Sequence, residues 1–117
     1  MNGKPRCAPV IGIAIAALSL SLSASALAAV DAAAAQALAR QSNCFKCHAV
    51  DKNKEATSWK EIASRLKSDK NAQATIVKHL TTGPKVKFLD GHEEEHPIIK
   101  TKDQDQIKNL ADWILSL

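Results

Sequence analysis

Two short stretches hold the side chains able to do chemistry. The first is Cys44-Phe45-Lys46-Cys47-His48, two thiols three residues apart with an imidazole directly after them. The second is Gly91-His92-Glu93-Glu94-Glu95-His96-Pro97, two imidazoles separated by three carboxylates. Alone, the second stretch fits the His-Glu-x-x-His pattern, in which two histidines one helical turn apart hold zinc and the glutamate serves as base. That chemistry requires a helix, and Pro97 biases His96 away from helical geometry. Three adjacent carboxylates would also repel one another within a single turn. Only Asp103, Asp105 and Asp112 remain downstream to supply a further ligand, with little chain to build a substrate cleft. The stretch therefore reads as a solvated acidic loop carrying two candidate ligands, not as a peptidase centre.

The first stretch is more specific. Cys-x-x-Cys-His is the attachment signal for a c-type haem. Thiols at this spacing reach the two vinyl groups on one edge of a porphyrin, and the next residue turns its imidazole to the iron. Cys44 and Cys47 are then thioethers and His48 the proximal ligand. A thioredoxin-like redox pair would need a strand–helix unit, and none is visible. A zinc site would have to recruit His92 and His96.

Export fits the haem reading, because the cofactor is attached outside the cytoplasm. Lys4 and Arg6 precede an apolar run over residues 10–22, and Ala26-Leu27-Ala28 follows as a small-x-small cleavage site. Residues 1–28 are thus expected to be a signal peptide directing the chain to the periplasm. The run is short and serine-rich for a membrane span, so an uncleaved N-terminal anchor is the lesser alternative. Cys7 lies before it, where it cannot take a lipid anchor. Residues 29–117 then form one small domain, a size at which a core often needs a staple. A disulfide between Cys44 and Cys47 would close a tiny loop and stabilise little. A large buried cofactor serves better, and thioether formation protects thiols that would oxidise after export. The formal charge of +4 includes Lys4 and Arg6. The surplus left after cleavage is too mild to indicate nucleic acid.

The elements that must position these groups are helical. Ala, Leu and Gln over 31–42 favour a helix capped by Asp31, with Ala34, Ala37 and Leu38 on one face. Ser58-x-x-Glu61 reads as a capping box opening a helix to about Leu66. A third helix spans 71–81, with Ile76, Val77 and Leu80 inward, and stops at Gly83-Pro84. A last helix follows Thr101, its stripe formed by Ile107, Leu110, Ala111, Ile114 and Leu115, with Trp113 on the flank. No stretch alternates with period two, so strands are not expected. Residues 83–100 read as a long loop, and loops of that length in a compact domain are usually functional.

With CFKCH after a first helix and KDQDQIKNLADWILSL as the last, the chain resembles the class I c-type cytochromes, in particular short bacterial monohaem ones. The resemblance covers essentially all of 29–117. It implies an all-α cytochrome c fold, with the N- and C-terminal helices crossing near a right angle beside a single covalently bound haem c. It also implies that His48 donates its second ring nitrogen to a backbone carbonyl, which here falls near Thr57 instead of the family's proline. The sixth iron ligand in the family is usually a methionine before the last helix. The only methionine here is Met1, which leaves with the signal peptide. His96-Pro97 stands where the family places Met-Pro, making His96 the expected distal ligand of a bis-histidine iron. His92, beside the permissive Gly91, is the alternative. His79 is a weaker candidate, and an open position the remaining one.

A periplasmic carrier of single electrons follows, of low potential and not an enzyme. Its partners would be redox proteins, with acidic ones steered by Lys46, Lys85 and Lys87. No nucleic acid and no stable membrane insertion are expected. The same sequence also suits a ligand-binding sensor with a displaceable distal histidine, or the haem subunit of a larger oxidoreductase.

Overall fold

The computed structural model describes residues 1–5 and 29–117. The expected signal peptide therefore lies almost wholly outside the described residues. Among the described residues, four helices carry the fold: α1 (Ala32–Gln41), α2 (Trp59–Leu66), α3 (Ala72–Thr82) and α4 (Gln104–Leu115). A 3-10 turn, Cys44–Lys46, follows α1. None of the helices among the described residues is long and apolar enough to cross a membrane.

Three of the four helix starts have a side-chain cap, and α3, entered at Asn71, has none. The Asp31 carboxylate accepts from the Ala34 amide at 2.9 Å. Asp103 accepts from the amides of Asp105 and Gln106 at 2.9 and 3.2 Å. Ser58 Oγ accepts from the Glu61 amide at 3.3 Å, which is only half of the expected capping box. The reciprocal role falls to Asn53, whose Oδ1 takes the Ser58 amide at 2.8 Å, while Glu61 pairs with Arg65 one turn on. Ser58→Ala is expected to cost about 1 kcal/mol, the usual worth of an N-cap, read as a lowered thermal midpoint.

Helix α4 is the centre of the packing, with α1, α2 and α3 all against it. It buries Ile107, Leu110, Ala111, Trp113 and Ile114. Facing it, α1 buries Ala35, Leu38 and Ala39, and its exposed side carries Ala34 and Ala37. The inward face is thus rotated from the one expected, because alanine occupies both sides and marks neither. A reciprocal pair fixes the α1–α4 contact: the Asp31 amide donates to Asn109 Oδ1, and Asn109 Nδ2 donates to the Asp31 carbonyl, each at 2.8 Å. Trp113 lies in the core, only 5% exposed, not on a flank. Its ring meets that of Trp59 edge-on at 5.2 Å, a favourable aromatic geometry.

Strands, unexpected from the sequence, do occur. Residues Lys85–Lys87 (β1) and Glu93–Glu95 (β2) pair antiparallel, with Lys85 opposite Glu95 and Lys87 opposite Glu93. Only Val86 of the six is half-buried, so no apolar alternation announces the ribbon. Opposite charges across the ladder favour the pairing. The Lys85–Glu93 contact at 3.4 Å is exposed and contributes little by itself. Gly91, at φ +96°, allows the turn in which the Phe88 amide donates to the His92 carbonyl at 2.8 Å. The three glutamates between His92 and His96 are therefore an extended strand, incompatible with the helical zinc-peptidase arrangement.

Candidate cofactor and metal site

Asn43, in the left-handed region at φ 59°, ends α1 and turns the chain into the 3-10 segment. The amides of Cys47 and His48 both donate to the Cys44 carbonyl, at 3.3 and 3.0 Å. This tight turn brings Cys44, Cys47 and His48 to the wall of one cavity. Burial raises the Cys44 thiol above the ordinary cysteine range. Burial does the same for Cys47, helped by the Glu55 carboxylate that accepts its thiol hydrogen bond at 3.4 Å. Reactive redox thiols need the opposite shift, so the pair is poorly suited to thiolate chemistry.

The His48 ring is oriented from two sides. Its Nδ1–H donates to the Thr57 carbonyl at 2.8 Å, and its face stacks on Trp59 at 5.7 Å between centroids. A carbonyl can only accept, so Nδ1 carries the proton and Nε2 keeps its lone pair. The loop making this contact is itself tied down: the Trp59 amide donates to Ala49 O and the Ala56 amide to Cys47 O, both at 3.0 Å.

His96 follows β2 and repeats the pattern. Its amide donates to Pro84 O at 2.9 Å, and its Nδ1–H donates to Pro97 O at 2.8 Å, which again leaves Nε2 free. The His48 and His96 ring centroids are 6.3 Å apart. Two imidazoles holding one metal from opposite sides, each nitrogen about 2 Å from it, have centroids about 6 Å apart. Burial lowers the pKa of both rings, favouring the neutral form that binds metal.

His92 is elsewhere. It is exposed, bonded through Nδ1 to Asp90 and through Nε2 to Glu94 at 3.2 Å, and stacked on Phe88 at 4.3 Å. The Asp90 carboxylate raises its pKa. His79, ranked lowest from the sequence, does line the cavity, its ring 4.4 Å from that of His96 and inclined at 67°. Burial first, and then His96 and His48, lower its pKa. Its position three residues after the inward Ile76 was the available signal.

The cavity, about 210 Å³, is otherwise mostly apolar, walled by Trp59, Ile62, Leu80, Phe88, Ile99, Leu110 and Ile114. Two thiols on its wall and two imidazole rings at iron-bracketing centroid separation fit a covalently attached haem. Gly83 sets the position of His96 within it. At φ +58°, a Cβ on Gly83 would lie 2.8 Å from the His96 carbonyl oxygen. Gly83→Ala is expected to lose about 1–2 kcal/mol from the left-handed backbone alone. It should also displace the His96 segment, read as a lowered thermal midpoint and a shifted ferric absorption spectrum.

The family model for cytochrome c matches residues 32–117. The chain belongs to the cytochrome c family. It is similar to the class 1 cytochrome MtoD from Sideroxydans lithotrophicus ES-1, at 53% identity and a TM-score of 0.72, over 75% of this chain and 97% of that one. It is also similar to wild-type cytochrome c552 of Nitrosomonas europaea, at 25% identity and a TM-score of 0.55, over 69% of this chain and 96% of that one. No curated protein matches the chain. The protein is therefore a class I c-type cytochrome with the cytochrome c fold and one covalently attached haem c. It is a monohaem electron carrier that acts with redox partners, and Cys44 and Cys47 stand at the attachment spacing.

Proposed function

We propose that this cytochrome is a periplasmic, low-potential carrier whose haem is bound by Cys44 and Cys47 and whose iron is held by His48 and His96. The observation that carries the reading is the pair of imidazoles with centroids 6.3 Å apart, each with Nδ1 engaged by a backbone carbonyl. When bound, the haem supplies a one-electron iron centre. The chain orients both nitrogens toward it and keeps water from it with apolar walls. Imidazole in place of the family's thioether favours ferric iron and lowers the potential. His48 and His96 would together hold the iron and would leave it no place for a substrate, which suits electron transfer without catalysis.

Residues 1–28 act as the export signal in this reading. Lys46 and Lys87 are exposed beside the site and favour an acidic partner. Lys85 shares its charge with Glu93. Glu55 and Glu94 near Cys47 temper the steering.

The test is coordination. The ferric protein is expected to be six-coordinate and low-spin. Carbon monoxide should leave the ferrous spectrum unchanged, and His92→Ala should leave the coordination as it is. High-spin iron in His92→Ala would transfer the distal role to His92. A rapid carbon monoxide adduct would favour a sensor.

A further inference from the structure

We propose that His79 is a reserve axial ligand, placed to bind the iron on the distal side when His96 leaves it. This rests on His96 being the distal ligand. Three imidazoles line one cavity, and an iron held in haem has two axial positions. His79 is the third, its centroid 4.4 Å from that of His96 and its ring turned nearly edge-on. It is half-buried. Among the described residues, the hydrogen bonds of histidine rings are those of His48, His92 and His96. His79 makes none of them, so neither of its nitrogens is committed elsewhere.

The two distal-side histidines differ in what holds them. His96 joins an exposed ribbon to an exposed segment: Glu93, Glu94, Glu95, Pro97 and Ile98 all face solvent. His79 stands on α3, which packs on α4 and buries Ile76 and Leu80. A partner pressing on the ribbon moves His96 first and leaves His79 in place. In the exchange the His96 Nε2–iron bond breaks and a bond from a His79 ring nitrogen forms. The oxidation state is unchanged and no proton is required. Replacing one imidazole by another keeps the iron six-coordinate, where simple loss of His96 would open it.

Ferric absorption and electron paramagnetic resonance spectra of four haem-loaded proteins test this: the native chain, His79→Ala, His96→Ala and the double variant. Circular dichroism checks the fold of each. The expected pattern is low-spin iron in the first three and loss of the low-spin signal in the double variant. If His96→Ala does not fold, His96→Asn takes its place in both the single and double variants. High-spin iron in the single His96 variant overturns the reserve role and leaves His96 as distal ligand. A low-spin double variant overturns it too, since another group then fills the position. High-spin iron in His79→Ala overturns both readings, because His79 would itself be the resting ligand.

Discussion

Replacing both Cys44 and Cys47 with alanine is expected to remove the haem and the folded state together. The side chains of Trp59, Ile62, Leu80, Ile99, Leu110 and Ile114 that pack the helices also wall the cofactor cavity of about 210 Å³. An apolar void of that size costs about 5 kcal/mol at roughly 24 cal/mol per Å³. The whole stability of a domain is only about 5–15 kcal/mol, and this one is small. The thioethers keep the macrocycle in place during folding, so their loss leaves a core built around a hole. Mass spectrometry should find the double variant without added haem mass, and circular dichroism should show most of the helix signal gone. A haem-free variant with native helix content would contradict this.

Replacing His96 with methionine is expected to raise the reduction potential on the order of 0.1 V, a fraction of the roughly 0.8 V that axial ligation spans. The backbone at this position is fixed by the amide bond to Pro84 O and by close approach to Gly83. A new side chain therefore enters the same cavity. A thioether there favours ferrous iron relative to imidazole and should add a sulfur–iron charge-transfer band to the ferric spectrum. Methionine also fills the space that alanine would leave, which keeps His79 from moving in. Spectroelectrochemical titration gives both readouts in one experiment. A potential and spectrum identical to those of the native protein would remove His96 from the iron.

Much of the site was legible because its chemistry is local. CFKCH encodes attachment within five residues, and a tight turn suffices to present it. The helix starts at Asp31 and Ser58 were readable because short side chains cap the following amides. His96 stood out because the only methionine, Met1, lies in the expected signal peptide and because Pro97 follows His96. What escaped depends on tertiary contact. The β1–β2 ribbon is charged on nearly every residue and is defined by pairing across a turn. The buried face of α1 is set by where Asn109 and α4 meet it. Trp113 is drawn inward by Trp59, a partner 54 positions away in a chain of 117 residues. His79 looked like an ordinary helix residue until α3 was placed beside the segment carrying His96.

The most direct test is electron–nuclear double resonance on the ferric protein labelled with 15N-histidine. The account predicts strong coupling from two coordinated imidazole nitrogens, one from each side of the haem. A single coordinated histidine nitrogen would contradict it.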